Sequence, residues 1–498
     1  MMDYLFYILV ILGAFFILYW IFKKPIWIIL ALVLLLPFHA FLVTSLTYFA
    51  NLNSFQSSIL AFWKEFILLG FIFKIIYQSI SQGKLPFKII WFDWLILILF
   101  FLALSINYIK NIPCLITAYG LRYDFLLFAT YFVFRSLNLN DEQFLKILKG
   151  FLWSGGVVIL FGILQKFLPD NFLINFGYAG VTDWNPANNL PLPAYHYIHE
   201  THTQRLQSFF SGPNSLGSYL VILWGLGIFI LARTKLKKNL WFLIGFLVLI
   251  LILGFFTYSR SAWLAILVLS ILFILSLFKN LQTKLIIFIL IIGLGFSSFY
   301  LLKNTNLSQN FLRTNSSMSG HLIRSAASVY LIKNHPEGLG VGTAGPSSLN
   351  FEKSYTQVPA EAYSEIADYL KKIGIESNPE SYPFVLSGPI IPENWFLQIG
   401  VEMGILGLSL FLTIIFGIFY ALYWLYKKIK NHFHQDFVLA VLFIGIALFV
   451  HSLFLHTWSD APTTILFGML LGLVFSMNKN IHKNFKTQNH KIQTNYNV

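Results

Sequence analysis

Stretches of about twenty apolar residues, uncut by charge, recur along this chain of 498 residues and leave it few options. A hydrocarbon core of about 30 Å is crossed by roughly 20 residues of helix at about 1.5 Å each. The runs are continuous rather than alternating, so they read as helices and not as barrel strands. They place spans near residues 4–22, 26–46, 58–80, 89–106, 116–134, 147–168, 208–231, 240–257, 261–278, 285–302, 396–426, 437–457 and 462–477. With 57% hydrophobic and only 11% charged residues, a soluble fold of this length is excluded. The expected fold is an all-α integral membrane protein of about 12–13 transmembrane helices. The first span is too long for a secretory signal and lacks a small-residue cleavage site, so it reads as a retained anchor. A single cysteine, Cys114, leaves no internal disulfide and no multi-cysteine metal site.

A net charge of +14 would suit a nucleic-acid partner, but its placement argues against one. Most of the 34 basic residues fall in alternate loops, around Lys23, Lys84, Arg135, Lys149, Arg233, Lys238, Lys284, Lys428 and the tail. That pattern marks a cytoplasmic face. It gives ten spans in residues 1–302 with an outer loop at 169–207, a large extracytoplasmic loop at 303–395, three spans in 396–477, and a basic cytoplasmic tail at 478–498 whose composition suits disorder. The large loop is expected to be partly helical. "HLIRSAASVYLIKNHP" has apolar residues at helical spacing, and "QVPAEAYSEIADYLKKIGIESNPE" reads as an amphipathic helix ended by Gly374. Between them, "EGLGVGTAGPSS" lacks the Gly-Lys-Ser/Thr ending of a phosphate loop and reads as a tight connection.

By this topology Arg260, in "TYSRSAWLA", occupies an outer turn where positive charge is scarce, and Arg122, Arg205 and Arg324 lie on or just inside the same face. An arginine fork donates two parallel charge-assisted hydrogen bonds, which suits a phosphate. Four together point to an anion, although any one alone, such as Arg122 near Asp124, is as well explained by pairing or by snorkelling.

The pattern "RLQSFFSGPNSLGSYL", with Arg205 nine residues before Asn214, resembles the O-antigen ligase and O-antigen polymerase superfamily. "TYSRSAWLA", containing Ser259 and Arg260, is similar to that family's Thr-x-Ser-Arg turn, and "SGHLIRSAASVYLIKNHPEGLGVG" followed by "ENWFLQIGVEMGILGLSLFL" resembles the end of its large loop and the next helix. The resemblance runs from about residue 200 to 412. It implies a class C-like membrane glycosyltransferase in the bacterial cytoplasmic (inner) membrane. Such an enzyme passes a glycan from an undecaprenyl-diphosphate-linked donor to a glycan or lipid-linked acceptor hydroxyl on the outer face, among membrane lipids, with no metal and no cofactor. It also implies that Arg205, Arg260, Arg324 and Arg122 hold the leaving diphosphate, supported by Asn214, Ser259 and Asn394.

The family's usual histidine before the asparagine of the last motif is replaced here by Glu393, in "PENWF". Glu393 is therefore the candidate base, with His321 in reserve; the other reading of Glu393 is a charge that caps the following helix. Arg324 lies one helical turn from His321, so either side chain reaches the same place. "HYIHETH" is not HExxH, since its histidines around Glu200 are three apart, so it reads as glycan contact or a wet loop. His451 and His456 fall at the outer end of a span, as interfacial residues or as cavity lining, and Trp184, Tyr197 and Trp395 are candidates for stacking on sugars. The rival class is a lipid-linked oligosaccharide flippase or other transporter, which would place its charges near midplane on broken helices.

Overall fold

The computed structural model describes residues 2–180, 191–198, 202–233, 237–278, 317–349, 355–372 and 388–477, with a few isolated positions besides. The protein is an all-α integral membrane protein. Its helices are α1 (Met2–Lys23), α2 (Pro25–Leu35), α3 (His39–Phe49), α4 (Ser54–Ala61), α5 (Trp63–Gln82), α6 (Trp91–Ile109), α7 (Cys114–Ser136), α8 (Asp141–Leu164), α9 (Pro213–Arg233), α10 (Lys237–Thr257), α11 (Arg260–Leu277), α12 (Ser317–Asn334), the single turn α13 (Gly345–Ser348), α14 (Ala362–Lys372), α15 (Trp395–Lys428), α16 (His432–Ser452) and α17 (Ala461–Met477). The only strands among the described residues, β1 (His196–Ile198) and β2 (Thr203–Arg205), form one antiparallel pair.

Nine helical segments among the described residues are long and apolar enough to cross a bilayer, against the twelve or thirteen expected. The difference has physical causes. The span read at 58–80 divides, because Asn53 caps α4 through a hydrogen bond from the Gln56 amide at 2.9 Å, and α5 starts afresh at Trp63. Three charges, Lys64, Glu65 and Lys74, then lie within α5; α7 likewise carries Arg122, Asp124 and Arg135, and α17 is apolar but short. The span read at 285–302, the loop stretches 303–316, 350–354 and 373–385, and the tail from 478 lie outside the described residues. Pro37 accounts for the bend between α2 and α3, a 3-10 turn over Leu36–Phe38, because proline has no N–H to continue the ladder.

α7 and α17 approach closely through Gly468 and Gly472, a small-xxx-small pair: a Cβ at Gly472 would stand 2.7 Å from the Tyr131 carbonyl. At the lysine-rich end of the bundle, Arg135 on α7 pairs with Asp93 on α6 at 2.7 Å, both nearly fully buried, and Tyr131 donates to the same carboxylate at 3.1 Å. Arg233 pairs with Asp436 at that end too. The opposite end holds the cavity described below.

Two devices join the loop region to the bundle. The amphipathic helix read in 357–380 and ended by Gly374 is present as α14 over Ala362–Lys372, and its Ala362, Ile366 and Leu370 pack on Ile323, Ala327 and Leu331 of α12. The Gly-rich connection is stitched into a break in α15. Gly404 has φ 68° and ψ −171°, a conformation essentially reserved for glycine, and it interrupts the helical ladder. The freed groups find partners in the loop: Val401 and Glu402 carbonyls accept from the Leu339 and Gly340 amides at 2.9 Å, and the Ile405 amide donates to Pro336 at 2.9 Å. The Glu402 carboxylate accepts from the Gly342 and Ala344 amides at 3.0 Å, and Asn107 of α6 brackets Val341 with bonds of 2.6 and 3.0 Å. Irregular backbone at this depth is tolerated because protein satisfies it. A Cβ at Gly404 would meet the Glu337 carbonyl carbon at 2.6 Å. Gly404→Ala is therefore expected to cost more than the about 1–3 kcal/mol of a strained backbone alone, seen as a lowered unfolding temperature in detergent; an unchanged melt would show that the break is not needed.

Candidate active site

A cavity of about 680 Å³ opens at the lysine-poor end, within the size range of ligand sites. Its walls come from the bend before α3 (His39), the α4–α5 junction (Phe62), α7 (Tyr119, Arg122), the start of α9 (Asn214, Ser215), α12 (His321), the residue before Asn394 (Glu393), and the α16–α17 segment (His451, His456, Asp460). Six residues singled out from sequence thus share one cavity: Arg122, Asn214, His321, Glu393, His451 and His456.

Glu393 owes its direction to its neighbour. Asn394 is the N-cap of α15, accepting from the Phe396 and Leu397 amides at 2.9 and 3.1 Å and donating to the Leu453 carbonyl at 2.9 Å. The capping role read as one alternative for Glu393 is therefore filled by Asn394. Glu393 itself has φ 51°, an uncommon value for a side-chain-bearing residue, and turns its carboxylate onto α12, where His321 Nδ1 and Arg324 Nη1 both donate to it. The one-turn spacing of His321 and Arg324 brings both to the same carboxylate.

Burial lowers the His321 pKa, and the charges of Arg324 and Arg260 lower it further, while Glu393 raises it. The net direction is down, so the ring is neutral at neutral pH. With its Nδ1 proton given to Glu393, Nε2 is the ring's proton acceptor.

Arg205, at the end of β2, donates from Nη2 to Asn214 Oδ1 at 2.9 Å and from Nε to the Thr257 carbonyl at 3.0 Å. The second bond ties it to the Thr257–Ser259 turn, where the Ser259 amide donates to Thr257 Oγ1 at 3.2 Å and Ser259 precedes the first residue of α11, Arg260. The ends of α9, α10 and α11 thereby gather Arg205, Asn214, Ser259 and Arg260, and Arg260 lies close enough to act on His321. Arg122 is placed differently, two turns down α7 and paired through Nε with Glu65 at 2.7 Å.

His196, paired across the ribbon with Arg205, is pushed down to about 4 by burial and then by that arginine. His199, Glu200 and Trp184 lie outside the described residues. Trp395 is buried at 1% exposure and is no sugar platform, and Tyr197 donates to Asp170. His451 and His456 line the cavity rather than only the interface. Sequence reading passed over His39, Lys64, Glu65 and Asp460; the signal for two of them was "FWKEF", an adjacent cation and anion inside an apolar run.

Residues 245–412 match the family model described as O-antigen ligase. Over these residues the chain is similar to O-antigen ligases. The matched stretch starts within α10 and ends within α15, so it contains Ser259, Arg260, His321, Arg324, Glu393 and Asn394, whereas Arg122 and Asn214 line the cavity from outside it and Arg205, also outside it, reaches Asn214. No curated protein matches the chain.

Proposed function

We propose that this protein transfers a glycan from a polyprenyl-diphosphate-linked donor to an acceptor hydroxyl, in the cavity at the lysine-poor end, on the extracytoplasmic side of the cytoplasmic membrane. The observation that carries the reading is the contact of His321, Arg324 and Glu393 beside Arg260 in a cavity of a membrane protein with an O-antigen ligase domain. In this reading His321 Nε2 accepts the proton of the acceptor hydroxyl as its oxygen bonds to the anomeric carbon. The bond from that carbon to the diphosphate oxygen breaks, and its electron pair leaves with the diphosphate. Glu393 holds the imidazole in its tautomer and stabilises the imidazolium. Arg205, Arg260 and Arg324 meet the growing charge on the leaving group from fixed positions, which is where such groups lower a barrier most. This exchanges the roles first read for Glu393 and His321, because the carboxylate is already engaged by two donors.

The test uses purified protein in vesicles supplied with an undecaprenyl-diphosphate oligosaccharide and a candidate acceptor. Release of undecaprenyl diphosphate together with a glycosylated acceptor is expected. Movement of the intact donor between leaflets with no release would replace this reading with a flippase.

A further inference from the structure

The deeper wall of the cavity takes no part in that chemistry. Arg122 lies eight residues into α7, about 12 Å along its axis. Asp124, just beyond it, lies close enough to act on Glu402, which is nine residues past Glu393 in the chain and on a neighbouring helix. Arg122 therefore sits on the order of 10 Å deeper than the His321–Glu393 contact, farther than one P–O–P bridge reaches.

Its surroundings are built. Nε donates to Glu65 at 2.7 Å, the Phe62 and Tyr123 rings lie 4.7 and 5.2 Å from the guanidinium carbon, and the Nη groups make no hydrogen bond to any described residue. Behind Glu65 stands Lys64, at 0% exposure, 3.2 Å from the same carboxylate, donating to the Ala61 carbonyl at 2.8 Å and 3.1 Å from His39 Nε2. The Trp63 indole, which can only donate, meets His39 Nδ1 at 3.0 Å. Asp460, another acid on this wall, accepts from Thr463 Oγ1 at 2.6 Å. The cluster thus sets two cations, Arg122 and Lys64, against the Glu65 carboxylate, and of the two Arg122 is the one that lines the cavity.

We propose that Arg122 is a second phosphate seat in this cavity, distinct from the one that receives the donor's leaving diphosphate, with the charge of Lys64 behind it. It rests on the proposed function only in assigning the leaving group to Arg205, Arg260 and Arg324. The seat would take a phosphate borne by a lipid-linked acceptor, whose product would be a longer lipid-linked glycan, or a free phosphate ion.

Calorimetric titration of the full-length protein in detergent tests this with geranyl diphosphate and with inorganic phosphate. Wild type is expected to bind two equivalents of geranyl diphosphate. Arg122→Gln should weaken one by about 10- to 100-fold and spare the other, and Arg260→Gln should do the reverse. Lys64→Met, which leaves the Arg122–Glu65 pair in place but removes the second cation, should weaken the same equivalent as Arg122→Gln by about tenfold and spare the other. That variant reports even if Arg122→Gln does not fold. Saturation of the seat by inorganic phosphate alone identifies the free ion as its ligand; binding only of the diphosphate ester identifies the lipid-linked acceptor. One equivalent, lost in Arg260→Gln and unchanged in Arg122→Gln, overturns the second seat, as does unchanged binding of both equivalents in Lys64→Met. Wild type that binds no geranyl diphosphate overturns the proposed function as well.

Discussion

His321→Ala and Glu393→Gln are each expected to lower turnover by about 10²–10⁴-fold, the range of a general base, while leaving donor binding close to wild type. Removing the carboxylate also takes away the one influence that favours the protonated ring. The pH profile distinguishes this from a loss of structure. His321 works as the neutral base, so activity should fall as pH drops through its pKa, which lies below the ordinary value of about 6.5. In Glu393→Gln the residual activity should lose its acid limb at a still lower pH, since Arg324 and Arg260 then act on the ring unopposed. Glu393→Gln within a few-fold of wild type would remove the carboxylate from the mechanism, and His321→Ala at full rate would remove the ring.

Arg260→Ala is expected to cost about 10²–10³ in kcat, as for loss of one preorganised donor to a developing oxyanion, and Arg260→Lys should recover little of it. Lysine keeps the charge but presents a point where the leaving diphosphate needs a fork. The two substitutions separate in a second measurement. Arg260 depresses the His321 pKa through its charge, so Arg260→Ala should move the acid limb of the pH profile upward, and Arg260→Lys should leave it near the wild-type position. If both variants turn over at wild-type rates with an unshifted limb, Arg260 is only an interfacial residue at the start of α11.

Much of this architecture was legible in the order of residues. Continuous apolar runs foretold helices, Pro37 fell where α2 gives way to α3, and Arg205 and Asn214, read only as parts of one family pattern, meet at 2.9 Å. What escaped reading depended on contacts between distant segments. Glu393 and His321 are 72 positions apart, and no local pattern says which of two adjacent residues, Glu393 or Asn394, caps a helix; a left-handed backbone at Glu393 decided it. Lys64 and Glu65 were absorbed into a hydropathy average, although an ion pair inside an apolar run is itself a sign of something to hold. Asp124 and Glu402 are unremarkable in sequence and meet only because α7 and α15 are pinned to one loop.

That pinning separates α15 into two mechanical parts. Below Gly404 the helix belongs to the bundle and must follow the thickness and tilt of the bilayer around it. Above Gly404, the short segment that begins with Trp395 is fastened by Val401, Glu402 and their loop partners to the Gly-rich connection. Glu393, two residues before that segment, therefore takes its reference position from that loop. A lipid environment that stretches or tilts the lower helix would pivot it about Gly404 and leave the spacing of Glu393, His321 and Arg324 as it was.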